Sequence, residues 1–287
     1  MSKPDARLHA YRPDLADVAL AGQVEATRFV EPRLTQVIEP VISLHKAPRF
    51  DAMQLTQALF GEEVKLFHEE EGWAWVQLVK DGYVGYVNGN ALSPHVLAPS
   101  HRVAVPSTFM YPEADLKTLP AIPLSLNAQV TVMTEAGAYS QLSNRRFVFT
   151  AHLKRIDDVE ADFVAVAAMF RHVPYHWGGK SAQGLDCSGL VQLSLEACGL
   201  RALRDSDMQE RTLGGNLPVD GLDSLRRGDL VFWNGHVGIM MDGTILLHAN
   251  GHHMMVVAEP LRDAAHRIAA RYGQLTGVRR LPGYAGF

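Results

Sequence analysis

The sequence predicts a multidomain protein in which two small all-β barrels precede an α+β domain. Three observations carry that reading. The chain has 287 residues, more than one ordinary hydrophobic core accommodates. From about residue 34, short β-rich runs recur between glycine-bearing turns at the spacing of small barrels. From Asp157 the pattern changes to apolar helical stretches followed by strands.

Residues 1–33 read as an N-terminal helical segment. Within residues 14–30, Leu15, Val18, Ala19, Gly22 and Ala26 recur at spacings of three and four. Residues 34–97 read as the first barrel: Val64 to Phe67, Trp73 to Val79 and Tyr83 to Val87 are β-rich. Gly61, Gly72, Asp81-Gly82 and Asn88-Gly89 separate them, and Glu69-Glu70-Glu71 reads as a solvated turn. Residues 98–155 repeat the style more faintly, through Val103-Ala104-Val105, Gln129 to Met133 and Phe147 to Phe149. Residues 156–287 form the α+β domain. Its helices are expected over Val159–Arg171, Ser188–Ala197 and Ala264–Arg271. Its strands are expected over Leu230–Trp233, Val237–Met241 and Thr244–Leu247.

Composition narrows the function. Hydrophobic content of 47% and charged content of 20% fit a globular protein. A net charge of −4 favours neither nucleic acid nor an anionic membrane. Apolar runs such as Phe163 to Phe170 are too short to span a bilayer. Met1 to Arg7 is broken by Pro4 and charges and does not read as a signal peptide. Cys187 and Cys198 would lie about 16 Å apart on one helix, too far to bridge. The expected compartment is therefore the cytoplasm, with export of a chain lacking its leader as the alternative.

The chemistry concentrates in five features: Tyr175-His176-Trp177-Gly178-Gly179, Asp186-Cys187-Ser188-Gly189, Arg227 to Trp233, His236-Val237-Gly238-Ile239 and His248-Ala249-Asn250. Cys187 opens a helix, where free N–H groups and the helix dipole are expected to lower its pKa toward the reactive thiolate. His236 can hold the thiol proton, and His248 can orient His236 if both lie on one face of a hairpin. A two-residue loop, Asp242-Gly243, would put them on opposite faces. A three-residue loop, Met241-Asp242-Gly243, would set His236 directly opposite His248, with glycine in the left-handed position. Cys198, at a helix end without a motif, reads as structural. Trp233 reads as core; Trp177 reads equally as core or pocket wall. His252-His253 could join His248 around zinc, but no acidic or second cysteine ligand stands at zinc spacing, so a solvated loop is preferred. No cofactor or metal is expected.

These features, in this order, resemble the NlpC/P60 peptidases from Asp157 to about Pro282. The resemblance implies a papain-like fold, with Cys187 as nucleophile and His236 and His248 completing the triad. Leu59-Phe60-Gly61-Glu62, Gly72-Trp73 and Asp81 to Val87 resemble the first SH3-like barrel of the γ-D-glutamyl-L-diamino acid endopeptidases that recycle murein peptides. Arg204 to Gln209 resembles the segment after their catalytic helix. The implied partner is a short peptide, L-Ala-γ-D-Glu-diamino acid, cut after D-Glu. A cationic free amino terminus needs acceptors. Asp186, Ser188, Asp205 and Ser206 are candidates in the catalytic domain, with Tyr175 and Trp177 beside them. The resemblance adds Glu62 and Tyr83, the latter chosen over Tyr86. A secreted hydrolase anchored to the wall by its barrels is the alternative, and an acyltransferase on a related fold is remote. A non-catalytic binding module would have no need to keep Cys187, His236 and His248 together.

Overall fold

A computed structural model describes residues 3–218 and 224–282; residues 219–223 and 283–287 of the expected catalytic domain lie outside them. The chain divides into two compact units, Met1–Ile156 and Asp157–Phe287.

The first unit is built from antiparallel sheets, except at its start. The expected N-terminal helix is not formed. Residues 14–30 instead give β1 (Leu15–Asp17), a single 3-10 turn over Val18–Leu20, and β2 (Arg28–Val30), parallel to β1. The reason is burial. Leu15 and Ala16 are adjacent and both fully buried, whereas Val18 is 44% exposed, which no single helix stripe allows. Leu15 packs with Ala10, Phe67, Trp75 and Val84. Asp17 accepts the Ala19 N–H at 2.9 Å and holds the chain to one turn.

A seven-stranded sheet follows, in the order β5-β4-β8-β7-β6-β3-β9. Its strands are β3 (Arg33–Val37), β4 (Val41–His45), β5 (Gln54–Leu59), β6 (Glu63–Glu70), β7 (Trp73–Leu78), β8 (Val84–Asn88) and β9 (Leu92–Ser93). The β6–β7 hairpin turns on Glu71 (φ 51°) and Gly72 (φ 79°), both left-handed, as the twist of a two-residue hairpin requires. Residues 98–155 give two further sheets. One has the order β13-β10-β17 and the other β12-β11-β16-β15-β14. Their strands are β10 (His101–Val103), β11 (Ser107–Tyr111), β12 (Ile122–Ser125), β13 (Gln129–Val130), β14 (Val132–Ala136), β15 (Tyr139–Leu142), β16 (Phe147–Phe149) and β17 (Leu153–Arg155). Val103, Leu124, Leu126, Val130, Leu142 and Val148 are buried there.

The second unit is α+β. Helix α1 (Phe163–Ala168) is shorter than expected, because Asp162 caps it by accepting the Val164 and Ala165 N–H groups. The short strands β18 (Lys180–Ser181) and β19 (Gly184–Leu185) pair before α2 (Cys187–Ala197). Next come α3 (Ser206–Thr212) and a six-stranded antiparallel sheet of order β20-β25-β21-β22-β23-β24. Its strands are β20 (Gly215–Leu217), β21 (Leu230–Trp233), β22 (His236–Met240), β23 (Ile245–Asn250), β24 (Met255–Pro260) and β25 (Gly277–Arg280). Helix α4 (Leu261–Tyr272) packs against β23 and β24 through Leu261, Ala264 and Ile268.

Helix α2 is apolar or small on nearly every face, and all its residues but Glu196 are buried. A helix buried all round is held by its neighbours rather than by an amphipathic stripe. It packs on α1 and β22. At Gly189 a Cβ would stand 2.2 Å from the Gly179 carbonyl oxygen, so the helix start touches backbone directly. Gly189→Ala should therefore lower stability by about 1–3 kcal/mol or more through overpacking. A urea midpoint equal to wild type would show that the backbone yields without cost.

Candidate active site

The site begins at the first residue of α2. Asp186 is the N-cap; its Oδ1 accepts the Gly189 N–H at 2.7 Å and its Oδ2 accepts the Gly178 N–H at 2.8 Å. Arg204 grips the same carboxylate in bidentate fashion, Nη1 to Oδ1 at 2.9 Å and Nη2 to Oδ2 at 2.7 Å. Arg204 Nη1 also donates to Ser188 Oγ at 2.9 Å. Gln209, on α3, donates to the Ser188 carbonyl at 2.9 Å and to the Leu203 carbonyl at 2.8 Å. The loop before α2, its first turn and the segment after it are thus one buried polar network. Losing one partner of such a buried ion pair costs about 3–5 kcal/mol.

That network engages both Asp186 and Ser188. Both carry buried side chains already bonded to Arg204, so they hold the start of α2, and with it Cys187, in place. Ser206, the first residue of α3, is buried, and Asp205, its N-cap, is half-buried. Tyr175 is half-buried near Cys187: its phenol is pushed up by burial first and by the Cys187 and Asp186 charges next. Trp177 is 61% exposed, which removes its core reading, whereas Trp233 is core. Cys198 is half-buried at the C-cap of α2. In the first unit, Glu62 is buried, with Lys80 Nζ at 3.5 Å. Tyr83 is buried too, and its N–H is taken by Asp81 Oδ1 at 3.0 Å. The Tyr86 hydroxyl accepts from Arg12 at 3.1 Å.

Cys187 is buried, and the backbone N–H groups of Val237 and Ser188 hydrogen-bond its sulfur. Val237 follows His236 in β22, so this contact brings the imidazole-bearing strand to Cys187. The expected fall in thiol pKa does not occur. Burial, helped by the Asp186 charge, pushes the thiol up to about 12 and outweighs the two N–H groups and Arg204. Burial, with the nearby His248, also drives His236 down to about 3. The resting pair is therefore a neutral thiol and a neutral imidazole.

His236 and His248 meet: Nε2 of His236 lies 2.8 Å from Nδ1 of His248. The register that achieves this differs from the one expected. Ile239 pairs with Leu247 and Met240 with Leu246, and Met241 N–H donates to the Ile245 carbonyl at 2.8 Å. The three-residue loop is Asp242-Gly243-Thr244, one residue later than expected, and Gly243 is not left-handed. Asp242 dictates this: its Oδ1 accepts from Thr244 N, Thr244 Oγ1 and Ile245 N within 2.9 Å, a turn that must open on the aspartate. His236 is consequently diagonal to His248, not directly opposite. The shift is by two positions, so the face is unchanged.

Beyond His248 stand groups that the sequence did not single out. Glu259 Oε1 is 2.7 Å from His248 Nε2, and Arg267 from α4 holds both Glu259 oxygens. A carboxylate in Val256-Val257-Ala258-Glu259 carries no local signal; only the β23–β24 pairing brings it to His248. His252 and His253 are exposed and give their N–H groups to Asn250 Oδ1. Among the described residues, no group of three or more His, Cys, Asp or Glu is arranged to hold a metal, and no helix is long and apolar enough to cross a membrane.

Comparison with known proteins agrees with this geometry. Residues 44–92 match the bacterial dipeptidyl-peptidase SH3 domain, and residues 172–269 match the NlpC/P60 family. The γ-D-glutamyl-L-lysine dipeptidyl-peptidase of Bacillus subtilis is 29% identical over 222 residues, 68% of this chain and 71% of that one. Dipeptidyl-peptidase 6 of Lysinibacillus sphaericus is 36% identical over 87 residues, 30% of this chain and only 31% of the relative's length. The crystal structure of an NlpC/P60 family protein from Bacillus cereus superposes with a TM-score of 0.72 at 20% identity, covering 86% of this chain and 99% of the other, a likeness of fold. The chain therefore carries an SH3-like domain followed by an NlpC/P60 domain, and it is a peptidase whose Cys187 opens a helix beside the strand that bears His236.

Proposed function

We propose that this peptidase hydrolyses the γ-D-Glu–diamino acid bond of short murein-derived peptides that begin with a free L-Ala, and that it works on recycled fragments in the cytoplasm. The observation that carries the reading is the alignment, across both units, with a relative named for γ-D-glutamyl-L-lysine dipeptidyl-peptidase activity. The site supplies suitable chemistry. Cys187 Sγ attacks the scissile carbonyl carbon as its proton passes to the free ring nitrogen of His236, Nδ1. His236 then protonates the departing amine, leaving a thioester that water hydrolyses with His236 as base. His248 holds the His236 ring in place through the 2.8 Å contact.

Cys187→Ala should lower kcat by about a thousandfold or more while the circular dichroism spectrum stays native. His248→Ala should cost less than His236→Ala, because orientation is lost while the base remains. Near-normal turnover by the Cys187 variant would reject the nucleophile.

The resting protonation state has its own signature. With the thiol near 12 and His236 near 3, alkylation of Cys187 by iodoacetamide should rise steadily up to and beyond pH 9. A plateau between pH 4 and 7 would instead reveal a preformed thiolate–imidazolium pair.

Substrate choice is tested by mass spectrometry of L-Ala-γ-D-Glu-diaminopimelate and L-Ala-γ-D-Glu-L-Lys digests, each free and N-acetylated. The free peptides should release the dipeptide L-Ala-γ-D-Glu, and acetylation should abolish cleavage. Equal cleavage of both forms, or of intact cross-linked wall, would replace this reading with that of a wall hydrolase.

A further inference from the structure

We propose that Glu259, locked by Arg267, is a positioning residue that selects the ring tautomers of His248 and His236 and so decides which nitrogen of His236 is free to take the thiol proton. The inference rests on the reading of Cys187, His236 and His248 as the reacting constellation.

The argument is an account of donors and acceptors along one line. Nε2 of His236 faces Nδ1 of His248 at 2.8 Å, and Nε2 of His248 faces Glu259 Oε1 at 2.7 Å. Each neutral imidazole has one N–H and one lone pair, so the proton position at one end fixes every position along the line. At the far end, Arg267 donates Nη1 to Oε2 and Nη2 to Oε1 of Glu259. A guanidinium only donates, so Glu259 is kept as a carboxylate that only accepts. Against that acceptor His248 must carry its proton on Nε2. Its Nδ1 then has the lone pair, and His236 must donate Nε2–H to it. The lone pair of His236 is left on Nδ1, where a base for Cys187 is needed.

A competing partner makes the selection necessary. Asn250 Nδ2 also lies 3.0 Å from His248 Nε2. The orientation of that amide is fixed, because Asn250 Oδ1 accepts from His252 N at 3.1 Å and His253 N at 2.9 Å. Its NH2 therefore points at His248 Nε2 as a donor. Alone, Asn250 would place the lone pair on His248 Nε2 and the proton on Nδ1. His248 would then donate to His236 Nε2, and His236 would carry its proton on Nδ1, with no lone pair left for the thiol. Glu259 holds the line in the productive direction against Asn250. The contest takes place at a fully buried His248, where water cannot supply an alternative partner.

Glu259→Met is the decisive variant, since it keeps much of the length of the side chain but removes both carboxylate oxygens. His248 Nε2 then faces the Asn250 NH2, which favours the unproductive line. Nitrogen-15 NMR of the histidine rings should show His236 and His248 protonated at Nε2 in the wild type and at Nδ1 in Glu259→Met. In the same variant kcat should fall by about a hundredfold or more, with KM little changed. Adding Asn250→Asp supplies a carboxylate at His248 Nε2; it should restore the wild-type tautomers and return at least about tenfold of the lost kcat. The ring spectra are read without substrate, so they stand even if the peptidase assignment fails, whereas loss of activity in Cys187→Ala tests that assignment alone. The proposal is overturned if Glu259→Met keeps both rings protonated at Nε2, if its kcat stays within twofold of wild type, or if Asn250→Asp restores neither tautomer nor rate.

Discussion

The second unit depends on the bidentate pair between Arg204 and Asp186. Asp186 alone would be an ordinary helix cap. Gripped by Arg204, it ties the Gly178–Gly179 loop, the first turn of α2 and the segment leading into α3 into one body. A fully buried guanidinium is tolerable only when its donors are met, and the carboxylate of Asp186, the hydroxyl of Ser188 and the carbonyl of Gly179 accept from it. The network also explains the glycines around it. Gly189 sits against the Gly179 carbonyl so closely that any side chain would part the helix from the loop. Fixing the start of α2 to that tolerance is what sets the position of the Cys187 sulfur.

Against this rigid helix end the sheet presents its two histidines, and burial dominates the electrostatics. A thiol at a helix N-terminus in water would be acidified by the free N–H groups and the dipole. Here desolvation prevails: the thiol is held neutral and so is His236. On the proposed mechanism the proton is transferred during attack rather than beforehand, which makes the lone-pair position on His236 matter. An imidazole that must act as base needs its partner to keep the other nitrogen protonated. The line from His236 through His248 to Glu259 and Arg267 supplies that partner, and it ends on a charge that cannot change sign. The two histidines are thereby anchored to α4, an element remote in sequence from Cys187.

Much of the fold was legible where local rules act alone. The strand break at Gly72, the helix over Ser188–Ala197 and the apolar run of β21 each follow from preferences of a few residues. The N-terminal segment was misread because a three-and-four spacing of small apolar residues occurs without a helix when adjacent residues, Leu15 and Ala16, are both drawn into a core. The histidine hairpin shows the boundary of pattern reasoning. The parity of the strand fixed the shared face of His236 and His248, but the turn chemistry of Asp242 moved the register by two, from opposed to diagonal.

By itself the sequence determined the order of all-β and α+β regions, a cysteine at a helix start and the pairing of two histidines on one face. These are set by periodicity, capping residues and motif spacing, all of which act within a few residues along the chain. Only the tertiary structure decided the protonation state of the thiol, the commitment of Asp186 and Ser188 to Arg204, and the arrival of Glu259 at His248. Burial and long-range pairing create those features. Desolvation depends on everything packed around a group, and Glu259 reaches His248 because β24 lies beside β23 with α4 folded back upon them.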